Sequence, residues 1–305
     1  MLGYVRLVRL PNVFTALSNA ISGFTIISAL QGGAPYSALF KVMAASACLY
    51  LAGMAFNDVA DEKLDAEERP TRPIPSGAVS YTGAVICGIV LMLAGIGFAA
   101  WAGGFGDFRQ NASLMYAVAL SGAILKYDFA GKRNALIGPL VLGLCRFLNV
   151  QLAMTASIYF ASAWANSRFW QPFWAAPLAV GIYAAGLTAF SKQEEAGHQR
   201  RAILLGWFFC GSGVLIAGAT GQKIAWIALL PLSLVLMHLT RRLQRLKSPE
   251  AARDLVRAGV MGICVLDAGL ILAFAGPDAW PFALVCVALL APGLWVAKLI
   301  KQKEA

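Results

Sequence analysis

An all-α integral membrane bundle of nine or ten transmembrane helices is the fold class this sequence predicts, and three observations predict it. Hydrophobic residues fill 59% of the 305 positions and charged residues only 13%, with a mean hydropathy of +0.68; soluble domains carry about 25% charged residues. Apolar runs recur along the chain at the ~20-residue length that a helix needs to cross the hydrocarbon. No period-two alternation is present, which leaves helices rather than a β-barrel as the spanning structure.

Ten apolar segments can be read in order, at 12–30, 36–56, 79–101, 112–125, 135–158, 173–190, 201–220, 222–240, 256–275 and 279–299. The stretch before the first, MLGYVRLVRLPN, is too short an apolar run for a cleavable signal peptide and reads as an interfacial turn. The second segment ends in the acidic sequence NDVADEKL. The fourth is short, and only Gly221–Gln222 parts the seventh from the eighth, so nine spans compete with ten. The fifth carries Arg146 and the ninth Asp267, charges that are costly inside a membrane. Together the segments make one transmembrane domain over 1–305.

Basic residues orient the chain. With ten spans, 20 of the 25 Lys and Arg fall on the side of the termini and four opposite, with Arg146 inside a span. That bias predicts a multi-pass protein, in a bacterial inner membrane, with both termini and the long polar loops cytoplasmic. It also accounts for the net charge of +10 without nucleic acid, since basic runs with interleaved aromatics are absent. All six cysteines lie within spans with no CxxC pair, as small apolar residues rather than disulfides or zinc ligands. His198 has no partner at metal-ligand spacing.

The chemistry gathers at 57–77, NDVADEKLDAEERPTRPIPSG. Asp58, Asp61 and Asp65 at i, i+3, i+7 share one helix face, and Asn57 joins Asp61 at i, i+4. Hard oxygen donors at this density repel one another unless a cation neutralises them, and they suit magnesium, which binds through a few carboxylates plus substrate phosphates. Arg69 and Arg72 follow in a Pro-rich segment closed by Gly77, and arginine grips phosphate oxygens bidentately. The combination suggests a magnesium–diphosphate site; the rival reading is a solvated acidic–basic connector. Two other loops on the same side can converge on this one: KYDFAGKRN, with Tyr127 and Lys132, and SKQEEAGHQRR, with Lys192, Glu194 and Glu195. Topology alone also explains the lysines, and a surface helix end the glutamates. Within the membrane Arg146 and Asn149 lie one turn apart, serving either a buried carboxylate or a substrate. Asp267 reads as structural.

These features resemble the UbiA superfamily of intramembrane prenyltransferases. Asn57, Asp58, Asp61 and Asp65 match its NDxxDxxxD motif, followed by ERPTRPIPSG; RLPN at 9–12 and Tyr127 with Lys132–Arg133 support it. GLCRFLN at 143–149 and LDA at 266–268 further resemble the EboC-like branch. The second acidic motif of the family, usually DxxxD, is here SKQEEAG, with Glu194 in place of an aspartate and Lys192 supplying a positive charge.

The resemblance implies UbiA-type architecture and Mg2+-dependent transfer of an isoprenyl group from an isoprenyl diphosphate to a lipophilic acceptor, with membrane lipid as surroundings and no nucleic acid partner. Asn57, Asp61 and Asp65 would hold the metal, and Asp58 would join them or orient a water. Arg69, Arg72, Lys132 and Lys192 would neutralise the leaving group, and the ring face of Tyr127 would stabilise the allylic cation. Arg146 and Asn149 would bind substrate, and Glu194 would orient the acceptor or take its proton. Phe56 reads as packing. A terpene cyclase, an isoprenoid carrier or transporter, and a non-catalytic family member are the alternatives.

Overall fold

A computed structural model describes residues 2–34, 36–104, 111–132, 134, 137–156, 169–196, 200–246 and 248–302. All ten apolar segments form helices. A short α1 (Leu2–Leu7) leads through a 3-10 turn (Leu10–Asn12) into α2 (Val13–Gln31). Then come α3 (Tyr36–Ala60), the short α4 (Glu62–Glu68), α5 (Tyr81–Ala102) and α6 (Ala112–Lys126). A π-helical turn, Tyr127–Gly131, extends α6 towards α7 (Ile137–Ala156). The second half holds α8 (Trp170–Ala196), α9 (Arg200–Thr220), α10 (Trp226–Leu246) and α11 (Pro249–Phe274). The last apolar segment is broken at Leu289 into α12 (Trp280–Ala288) and α13 (Leu290–Gln302).

Nine spans among the described residues have the length and apolarity to cross a membrane, which makes this a multi-pass integral membrane protein. The fourth segment, α6, has 15 residues, about 22 Å at 1.5 Å per residue, and falls below that length. Its contacts nonetheless make it a crossing. At its start, Asn111 donates to the Ala100 and Gly104 carbonyls at the end of α5. At its end, Asp128 accepts from Asn57 at the end of α3. Helix α5 runs antiparallel to α3, Gly88 lying against Phe56 and Gly95 against Leu49, so α6 has to return the chain to the face that α5 left. Counted this way, the described residues make ten crossings.

Position in the bundle follows from how much of each helix is covered. Helices α2 and α8 are 72% buried over their most apolar windows, whereas α5 is only 28% buried. The outer face of α5, with Ile86, Val90 and Leu93 exposed, is the surface that lipid covers. Close packing in the centre relies on small residues, as helices without a hydrophobic drive between them require. A Cβ on Gly143 of α7 would stand 2.6 Å from the Gly181 carbonyl oxygen of α8. The six cysteines are unpaired.

One face of the bundle collects the polar ends. Helix α1 lies there, with Arg6 donating to the Thr71 carbonyl at 2.9 Å. The break in the last segment brings α13 to the same face, where a Cβ on Gly293 would lie 3.2 Å from the Pro11 carbonyl oxygen. Because α8 is antiparallel to α7 at the Gly143–Gly181 crossing, its last turns also run to this face.

Candidate functional site

Asn57 and Asp58 close α3, and helical bonding carries on past them despite the break. The Asp61 amide donates to the Asn57 carbonyl at 3.1 Å, and the Asp65 amide to the Asp61 carbonyl at 2.8 Å. The expected single acidic face therefore persists into α4. The segment 69–77 then folds back over it: Ser76 N–H donates to Arg72 O, and Gly77, at φ 74°, takes the left-handed turn that ends the segment.

This fold-back delivers Arg72 to the acids. Its Nη1 donates to Asp58 Oδ1 at 2.8 Å and lies 3.3 Å from Asp65 Oδ2. Arg69 lies 3.9 Å from Asp65 Oδ1 and is half exposed. From the turn after α6, Lys132 Nζ sits 2.7 Å from Asp61 Oδ2 and donates to the Asn57 carbonyl at 3.2 Å. Thus Asn57, Asp58, Asp61, Asp65, Arg69, Arg72 and Lys132 are brought together as the sequence spacing suggests.

Two members of the cluster were not singled out as site residues from sequence. Asp128 accepts from Asn57 Nδ2 at 3.1 Å and is buried. Burial pushes its carboxyl up to about 6, against the opposing pull of the Asn57 hydrogen bond and of Lys132. Arg9 donates to Asn57 Oδ1 at 3.1 Å and to Asp58 Oδ1 at 2.8 Å. It does so from a left-handed backbone, φ 47° and ψ 51°, among the described residues the one non-glycine with positive φ. Such a conformation costs about 1–3 kcal/mol and persists where surroundings over-determine it. The available signal was RLPN, where Arg9 read only as a basic residue at a membrane surface. Burial also raises the Asp65 carboxyl, with Arg72 opposing it, and pushes the Tyr127 hydroxyl up to about 12.

Below this mouth lies a cavity of about 280 Å³. Arg9, Asn57, Tyr127 and Asp128 line its polar rim, and Leu49, Ile124, Leu187 and Ile263 are among its apolar walls. Phe56 does not border it; it packs on Phe129 with ring centroids 6.2 Å apart, the packing role expected. Arg146, Asn149 and Tyr50 form a second polar end. Arg146 donates to Asn19 Oδ1 at 3.1 Å and to Thr15 Oγ1 at 3.0 Å, with its guanidinium carbon 5.3 Å from the Tyr50 ring centre. Asn19 Nδ2 in turn donates to both oxygens of Asp267, at 2.8 and 3.1 Å. The buried carboxylate therefore serves Arg146 through an amide rather than directly. Asn149 does not meet Arg146's partners; it donates to the Ala16 carbonyl and accepts from Ser46.

The backbone at Lys192, Glu194 and Glu195 closes α8 at the mouth face; their side chains lie outside the described residues, as do His198 and Arg133. Among the described residues no three Asp, Glu, His or Cys side chains converge as a ready metal cage. The donor set still suits a hard divalent cation: three carboxylates and an amide, with no sulfur or imidazole. One oxygen, Asp65 Oδ2, is buried without a hydrogen bond.

A helical membrane bundle with a carboxylate-and-cation mouth above an apolar cavity is thus the class that fold and site define. Residues 16–257 match the UbiA prenyltransferase family, and the chain belongs to that family. It is 31% identical over 144 residues to digeranylgeranylglyceryl phosphate synthase of Methanococcus aeolicus, covering 46% of this chain and 47% of the relative. It is 34% identical over 105 residues to chloroplastic chlorophyll synthase of Avena sativa, covering 32% of this chain and 26% of that one. The chain spans about half or less of the length of these relatives. An apo UbiA homolog from Aeropyrum pernix K1 shares the fold, with a TM-score of 0.65 at 18% identity over 85% of this chain and 97% of that one. None of these relatives singles out the EboC-like branch.

Proposed function

We propose that the protein transfers an isoprenyl group from an allylic diphosphate to a lipophilic acceptor, with Mg2+ as cofactor. The observation that carries this reading is the mouth itself: three acids and an amide on one helical face, interleaved with Arg9, Arg72 and Lys132, directly above an apolar cavity. The relatives named above are, by name, a digeranylgeranylglyceryl phosphate synthase and a chlorophyll synthase, which agrees with it.

Asn57, Asp61 and Asp65 hold the cation, and Asp58 orients Arg9 and Arg72 towards the diphosphate. Bound there, Mg2+ supplies Lewis-acid stabilisation of the charge that develops on the departing diphosphate. Arg69, Arg72, Lys132 and Lys192 add to that stabilisation, which lowers the barrier to breaking the allylic C–O bond. The prenyl tail lies in the cavity, whose apolar walls keep water from the allylic cation. Tyr127 turns its ring to the rim, Arg146 and Asn149 face the acceptor at the inner end, and Glu194 orients the acceptor or takes its proton. The mouth faces the cytoplasm of a bacterial inner membrane, in keeping with the clustering of basic residues on that side.

The test is pyrophosphate release by purified protein given allylic diphosphates of several chain lengths, Mg2+ and a lipid extract as acceptor. Release that depends on Mg2+ and is lost in Asp61→Ala supports the reading. Release no greater than that of Asp61→Ala at every chain length overturns it.

A further inference from the structure

Every group assigned above to the cation is already engaged by a basic side chain. Lys132 Nζ occupies Asp61 Oδ2 and the Asn57 carbonyl. Arg9 occupies Asn57 Oδ1, and Arg72 approaches Asp65 Oδ2 while bonding Asp58. Four carboxylates (Asp58, Asp61, Asp65, Asp128) thereby face four cations (Arg9, Arg69, Arg72, Lys132) among the described residues. Among these described side chains the charges balance.

We propose that Lys132 and Arg72 are resident counter-ions that pass from carboxylate to phosphate, so that the site takes a divalent cation together with a diphosphate and binds the bare cation poorly. The inference rests on the function proposed above and specifies the form in which the donor substrate is accepted. A bare divalent cation must displace the Lys132 ammonium from a largely buried carboxylate and leaves the mouth with excess positive charge. Like charges a few ångströms apart repel strongly where little water screens them, so this excess weighs heavily against binding. A diphosphate arriving with the cation removes the excess, and the released ammonium and guanidinium find phosphate oxygens in exchange.

The signature is an effect of opposite sign on two ligands. Removing a resident counter-ion should strengthen binding of the bare cation and weaken binding of the diphosphate. A merely structural lysine would weaken both when removed, and a phosphate ligand that never touches the acids would leave the cation unaffected. Full-length protein in detergent micelles is titrated with Mn2+ alone, read by electron paramagnetic resonance of the free ion. Separately, geranyl thiolodiphosphate is titrated without divalent metal. Lys132→Gln should bind Mn2+ about tenfold more tightly and the thiolodiphosphate about tenfold more weakly, with Arg72→Gln acting alike as the second variant. Lys63→Gln, at an exposed position on α4, controls for net charge and should change neither. Both ligands binding to wild type, with Mn2+ affinity unchanged or lowered in the two mouth variants, overturns this inference alone. No binding of the thiolodiphosphate to wild type, with Mn2+ absent or present, overturns the proposed function as well.

Discussion

The mouth and the membrane interior each hold acids and bases, and they hold them differently. At the mouth, Asp58 and Asp61 touch Arg9, Arg72 and Lys132 directly at 2.7–2.8 Å. In the interior, Arg146 and Asp267 never meet; Asn19 stands between them and bonds both. Direct pairs can be exchanged one for another when a ligand brings its own charges. A relayed pair fixed by a buried amide has no such alternative, since Asp267 is fully buried and Asn19 spends its amide on it. The difference separates a region built to change partners from one built to keep them, although both contain the same residue types.

The sharpest way to break this contrast is Asp267→Ala. It leaves the buried Asn19 amide without its acceptor, and a buried polar group left unsatisfied costs about 1–3 kcal/mol. A thermal or denaturant melt in micelles should show that loss, and Arg146→Met combined with Asp267→Leu should recover much of it. On activity, Asp61→Ala should lower pyrophosphate release about 10²–10³-fold while the melt stays close to wild type, separating chemistry from stability. Arg9→Ala should be milder, about tenfold in activity, because Arg72 still holds Asp58; Arg9→Gly, which takes the left-handed backbone at position 9 without a Cβ penalty, should lose less stability than Arg9→Ala. The smallest expected effect is Phe56→Leu, a volume-reducing core change of ~1 kcal/mol, with release rates unchanged. A large activity loss there would mean that the ring acts on substrate rather than on Phe129.

Much of this was readable from the chain because two rules of spacing apply directly. Hydropathy marks every span, since each helix must satisfy its own backbone in lipid. The i, i+3, i+7 acids stay on one face because helical bonding continues from Asn57 to Asp65. What sequence did not reveal depends on contacts between distant segments. Asn19 sits unremarked in an apolar run, 248 residues from the aspartate it serves. Arg9 looked like a topology signal because its reach depends on one unusual backbone angle, which no pattern of neighbours specifies. The role of α6 was ambiguous because length alone underestimates a helix that continues as a π turn.

The short helix α6 fixes which ends of the bundle meet. Its outer end is pinned beside Ala100 and Gly104, and its regular turns cover about 22 Å of a hydrocarbon layer about 30 Å thick. The π turn adds further rise, and Asp128 within it and Lys132 just after it tie Asn57 and Asp61 to this end of the bundle. In the proposed function, the prenyl donor brings its charged head to this tied end, and its tail enters the cavity beneath.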